Sequence, residues 1–166
     1  MAIREIVTHP NSILRRKARK VEKFDQEIQN LIEDMIETMR AEPGVGLAAP
    51  QVAVPLRLIV VEYGEEENPD IPPKLYVMAN PEIIRSSQET ELGVEGCLSI
   101  PGFVGEVERS SEIVVRGQNR YGKPMKVKAK GWLARIFQHE IDHLNGILFI
   151  DRTDKVWKLE EEKDTA

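Results

Sequence analysis

Three observations predict an α+β fold for this 166-residue chain. A helical apolar stripe lies near the N terminus. The middle of the chain reads as a run of short β-branched segments, one of them strictly alternating. A second helical stripe closes the pattern near the C terminus.

The first stripe is "FDQEIQNLIEDMIETMR", in which Phe24, Ile28, Leu31, Ile32, Met35, Ile36 and Met39 recur at spacings of three and four. That is the core-facing side of a surface helix, with Asp25 as its N-cap and the Pro43-Gly44 pair stopping it soon after Arg40. From Leu56 the pattern turns to strands: "LRLIVVEY", "KLYVMANP", then "SEIVVRGQ" and "MKVKAK" flanking the turn-rich "NRYGKP". Alternation in "MKVKAK" predicts a sheet with one wet face. The segment "GEEENPDIPP" between the first two strands reads as a polar, proline-punctuated loop. A second helix is expected from about Trp132 to Leu144, its apolar side formed by Leu133, Ile136, Phe137, Ile141 and Leu144 and its end set by Asn145-Gly146. The final "KVWKLEEEKDTA" reads as a short helix fraying into an acidic tail.

The length suits one domain over residues 1–166, with about 151–166 as a short C-terminal tail, and is enough to bury a core without staples. Composition is that of a soluble protein: 41% hydrophobic, 31% charged, formal net charge -5. The basic residues are spread out apart from "RRKARK" at Arg15 to Lys20, read as a solvated turn, so no nucleic-acid partner is expected. One cysteine, Cys97, excludes an intrachain disulfide and suggests a reducing compartment. Neither a signal peptide nor a bilayer-spanning run is present, so the expectation is a cytoplasmic protein, or the mature form of an organellar one.

The stretch "QHEIDHLNG" carries the chemistry. On a helix His139 and His143 share one face, with Cβ atoms about 5–6 Å apart, so both rings can address one ion. Glu140 is rotated by about a third of a turn, badly placed as a ligand and well placed to take a proton from water beside the ion. H-E-x-x-H also arises by chance, and two imidazoles hold a divalent ion weakly, so a third ligand decides. Cys97 in "EGCLSIPG" is the candidate, 42 residues before His139. A lone cysteine is more often a buried small hydrophobe. A third stretch, "GVGLAAPQ", offers glycines that let backbone touch a ligand, followed by the Gln51 amide, and is equally compatible with a plain turn. Read this far, the residues leave open a zinc metalloprotease, which would draw its third ligand from downstream, and a His₂Cys copper protein with Met125 as weak axial ligand.

In their order and separations, "GVGLAAPQ", "EGCLSIPG" and "QHEIDHLNG" resemble the three signature motifs of the peptide deformylases, type I-like, and the resemblance covers the chain from the N-terminal helix through "ILFID". It implies antiparallel strands packed around a central H-E-x-x-H helix. The implied activity is removal of the formyl group from the N-terminal methionine of new polypeptides. Carried over by position, Cys97, His139 and His143 become metal ligands and Glu140 the general acid/base. The Gln51 side-chain amide and the Leu98 backbone N–H become donors to the formyl oxygen, and Gly44, Val45 and Gly46 the strip that meets the substrate. The implied ion is Fe²⁺, with Zn²⁺, Ni²⁺ or Co²⁺ as alternatives, since the ligand set does not choose among them. Formylated nascent peptides at the ribosome are the expected partners of a monomer, with no membrane involved. The chain departs from some members at Phe103 and Val104, where those carry an arginine, and at Trp132 and Arg135, where those carry aliphatics. A basic C-terminal helix is absent from the sequence. A pairing of Glu95 with Arg109 is expected to brace the cysteine loop.

Overall fold

In the computed structural model, residues 2–64 and 70–159 are described. Helix α1 spans Gln26–Ala41, and the Asp25 carboxylate accepts from the Ile28 N–H at 3.2 Å, satisfying one of the orphan donors of the first turn. Its stripe of Ile28, Leu31, Ile32, Met35, Ile36 and Met39 is buried. Strand β1, Gly46–Ala48, follows the stop at Gly44 and runs into a 3₁₀ turn over Ala49–Val52. Then come β2 (Leu58–Tyr63), β3 (Lys74–Ser86), β4 (Thr90–Cys97), β5 (Ile100–Ser110), β6 (Glu112–Gln118) and β7 (Pro124–Lys130). Helix α2 spans Gly131–Leu144, and β8 spans Val156–Lys158.

The strands form two antiparallel sheets, one ordered β1-β2-β3-β6-β7 and the other β4-β5-β8. Strand β2 explains the layering. Leu58, Ile59, Val60 and Val61 are all buried, and because successive side chains point to opposite faces, Ile59 and Val61 join the α2 residues in one core cluster while Leu58 and Val60 join α1 in another. The larger sheet is therefore covered by α2 on one face, while α1 covers the other face over β1, β2 and the adjoining part of β3 and leaves β6 and β7 open. In α2, Ala134, Ile136, Phe137, Ile141 and Leu144 face that sheet. The helix ends at Gly146, whose φ of +74° is the left-handed stop expected there.

The C-terminal expectation of a short helix is corrected. Val156–Lys158 is a strand that pairs with β5 through Phe103↔Lys158 and Gly105↔Val156, extended by the Leu159 N–H donating to the Gly102 carbonyl at 2.7 Å. The physical reason is that a few residues cannot repay helix nucleation, whereas the open edge of β5 offers unpaired backbone groups. Residues 160–166, expected as the fraying acidic tail, and residues 65–69 of the polar loop lie outside the described residues. Strands β1, β4 and β5 had no counterpart in the sequence reading. Among the described residues, no helix is long and apolar enough to cross a membrane.

Candidate active site

Three elements converge on one point. The helical spacing of α2 puts His139 and His143 side by side, with ring centroids 5.0 Å apart. Strand β4 ends at Cys97, where the chain turns back through Leu98-Ser99 into β5, and this delivers the sulfur to the same place: Cys97 Sγ lies 3.3 Å from His143 Nε2. One ligand atom from each of Cys97, His139 and His143 falls within 4.8 Å of the others. The 3₁₀ turn after β1 brings in Gln51, which is buried. Its Oε1 accepts from the Ala48 N–H at 3.0 Å, and this turns Nε2 toward Ser99 Oγ (3.1 Å) and Cys97 Sγ (3.6 Å).

Beneath the histidines lies a buried ionic network. His139 Nδ1 meets Glu95 Oε1 at 2.9 Å, which leaves Nε2 as the free ligand atom, and the ring stacks on Phe149 at 6.3 Å. Glu95 takes a two-pronged interaction from Arg109 (2.8 Å each) and a third from Arg135 Nη1 (2.7 Å). Arg109 also reaches Asp142 at 2.6 Å, and Arg152 closes the chain on Asp142 at 2.7 and 2.9 Å. The expected Glu95–Arg109 pair is thus present, and larger than expected. Burial alone would raise the Glu95 carboxyl, but the hydrogen bonds from Arg109 and His139 outweigh it and hold the group well below the usual carboxylate range.

Glu140 sits one residue beyond His139 and is 5% exposed. Burial pushes its carboxyl up to about 7, with Glu95 adding to the rise and His139 opposing it. Its Oε1 is buried without a hydrogen-bond partner, an acceptor held ready beside the centre. Gly46 explains how β1 comes so close, because a Cβ there would stand 2.6 Å from Glu140 Oε2. Gly46→Ala is accordingly expected to displace the carboxylate and lower kcat by up to about 10²-fold with the fold retained, which steady-state kinetics beside a thermal melt would check.

The donor set fits a divalent ion. Burial, followed by the charge of His139, keeps His143 well below its ordinary value and hence neutral, as a ligand must be. Burial lowers His139 too, but the hydrogen bonds with Cys97 and Glu95 outweigh it and hold the ring above its ordinary value. A cleft of about 480 Å³ opens over the centre, walled by Gly44, Val45, Gly46 and Leu98 on one side and by Trp132, Ile136 and Leu159 on others. Gly44, Val45, Gly46, Gln51, Cys97, Leu98, His139 and Glu140 all line this cleft, and His143, 1% exposed, lies against Cys97, whereas Arg109 and Met125 do not line it.

Comparison with known proteins decides what this arrangement belongs to. The family model for polypeptide deformylase matches residues 3–158. The peptide deformylase of Desulforudis audaxviator is 48% identical over 161 residues, covering 97% of this chain and 100% of that one. The chain belongs to the polypeptide deformylase family. These enzymes are metal-dependent hydrolases that remove the formyl group from nascent peptides. Among solved deformylases, that of Ehrlichia chaffeensis in complex with actinonin superposes with a TM-score of 0.88 at 43% identity, over 93% of this chain and 91% of that one. A Met-Ala-Ser-bound deformylase from Acinetobacter baumannii gives 0.84 at 38% identity, over 92% and 99%.

Against the deformylase frame, the sequence reading missed Ser99, Asp142 and Arg152, and it noted Arg135 only as a departure from the aliphatics of some members, without its role. Arg135 is the most informative. It is 5% exposed, bonds Glu95 and the Val107 and Glu91 carbonyls, and lies under the Trp132 ring at 5.4 Å. Gly93 gives it room, since a Cβ there would fall 2.8 Å from its Cζ. An arginine within the apolar run of "GWLARIFQHE" was the available signal.

Proposed function

We propose that this chain deformylates N-formylmethionyl peptides as they leave the ribosome, working as a cytoplasmic monomer with one ferrous ion held by Cys97, His139 and His143. The observation that carries this reading is the meeting of the lone sulfur with the two imidazoles at the floor of a cleft, with Glu140 beside them. A bound divalent ion supplies Lewis-acid polarisation of the formyl carbonyl and acidifies water toward neutral pH.

The remaining steps fall to the chain's own residues. Glu140 takes the proton of the attacking water and hands it to the departing amine, a role suited to a carboxyl near pH 7. Gln51 Nε2 and the Leu98 backbone N–H donate to the oxygen as negative charge builds on it, each worth about 3–4 kcal/mol in comparable sites. Gly44 and Val45, just before the edge strand β1, and Gly46 at its start present backbone to the peptide, as an added strand would use it. The Met-Ala-Ser bound to the Acinetobacter baumannii relative has the chemistry of a deformylated product and supports this assignment.

The test is formate release from formyl-Met-Ala-Ser by anaerobically purified protein, beside an internal peptide bond as control. Hydrolysis of the formyl amide alone supports the reading, and cleavage of the internal bond returns the chain to the metalloprotease class. Removal of the ion by a strong chelator is expected to abolish turnover and re-addition of Fe²⁺ to restore it. Elemental analysis separates iron from zinc, nickel and cobalt.

A further inference from the structure

The chain is acidic, yet one hairpin carries a clear excess of positive charge. Between Glu112 and Lys130, six basic residues stand against one acid, so this segment carries +5 while the remaining residues together carry -10. Folding sharpens the contrast. In β7 the buried positions are Val127 and Ala129, so Lys126, Lys128 and Lys130 project together from the exposed face at intervals of about 6.6–6.8 Å. Register places Arg116 of β6 opposite Lys126 and Arg85 of β3 opposite Val114, whose other neighbour is Lys128. The row lies at an open edge of the five-stranded sheet and continues into Lys123 and the exposed Tyr121 at the hairpin turn. Beside it runs a groove of about 490 Å³ bounded by Arg85, Ser86, Ser87, Glu112, Lys128 and Lys130.

Two of the basic residues in the region are already engaged. Arg120 pairs with Glu33, and Arg116 with Glu82 at 3.3 Å. Lys123, Lys126, Lys128, Lys130 and Arg85 form no ion pair among the described residues. Like charges set side by side on a sheet repel one another and favour an anionic occupant. Lysines on an edge strand also deter edge-to-edge pairing. That role accounts for β7 but not for Arg85 two strands inward.

We propose that this face of β3, β6 and β7 docks on the phosphodiester backbone of RNA. The choice of RNA rests on the reading of the chain as an enzyme of nascent peptides, made where RNA is the surrounding surface. A membrane is disfavoured because the face presents Val114, lysine stems and a single exposed aromatic, Tyr121, rather than a stripe of apolar side chains to insert. None of these residues lines the catalytic cleft, so a peptide can be processed while this face is held.

The experiment is fluorescence anisotropy of a labelled RNA hairpin with the full chain, titrated between about 50 and about 200 mM salt. Wild type is compared with Lys123→Glu/Lys126→Glu/Lys128→Glu and with the corresponding triple glutamine variant. The glutamate variant is expected to bind about 10–100-fold more weakly. The glutamine variant is expected to show a salt slope reduced by about one per lysine. Hydrolysis of formyl-Met-Ala-Ser stays unchanged in both, which certifies the fold. Equal RNA affinity in all three proteins overturns the proposal, as does wild-type binding to phosphatidylglycerol vesicles or polyglutamate but not to RNA. RNA binding lost in the variants while no protein hydrolyses the tripeptide leaves the docking face standing and removes the deformylase reading instead.

Discussion

Glu140→Ala is expected to lower kcat on formyl-Met-Ala-Ser by about 10²–10⁴-fold while the protein keeps its ion and its melting temperature. The reason lies in how the carboxylate is placed. It is 5% exposed, its Oε1 has no partner among the described residues, and burial sets its carboxyl at about 7, so the side chain contributes a proton acceptor rather than a structural tie. Truncation also relieves a buried, poorly satisfied acid, so a slight gain in stability is compatible with the account. Pre-steady-state assays paired with metal analysis make the check. Loss of the ion together with activity would instead make Glu140 a ligand.

Glu95→Gln should produce the largest loss of stability, about 3–5 kcal/mol, because it leaves Arg109 and Arg135 buried beside a neutral amide. For a chain of this size that lowers the melting temperature by on the order of 10 °C. The exposed Arg116–Glu82 pair supplies the contrast. Its side chains are 60% and 63% exposed, and Arg116→Gln is expected to cost no more than about 1 kcal/mol. The pH dependence has a definite sign. Since the folded-state value of Glu95 is depressed, its contribution is complete above the unfolded carboxylate value of about 4.3 and is lost as pH falls through the folded one. The stability gap between wild type and Glu95→Gln should therefore narrow on acidification below about pH 4.3, measured by denaturant melts at successive pH values. Because Glu95 also holds His139 Nδ1, the same variant should retain metal less firmly.

The parts of this protein visible in its sequence are those stabilised by local pattern. Helix α1 and its Asp25 cap, the four-residue apolar run of β2 and the Gly146 stop of α2 each carry their signal within a few residues. Strands β4 and β5 do not. "TELGVEGC" contains two glycines and three charged or hydroxyl positions, and it is a strand because β5 pairs along its whole length and buried arginines grip the Glu95 carboxylate and the Glu91 carbonyl. Strand β8 is decided by the open edge it meets rather than by its own residues. In the site, His139, Glu140 and His143 were legible through helical periodicity, while Cys97 became a candidate only beside them. Arg135 stood out only as a departure from aliphatics, and its role was not legible because its acceptors lie 28 to 44 residues away. The substrate came from family resemblance, since spacing alone describes a metal and a base and says nothing of a formyl group.

The central claim is that one sulfur and two imidazoles enclose a single ion. X-ray absorption at the metal edge of anaerobically purified protein measures it most directly. The account predicts one ion per chain whose inner shell contains one sulfur and two imidazole nitrogens, with the sulfur signal lost in Cys97→Ala. A shell of nitrogen and oxygen alone in the unaltered protein would contradict it.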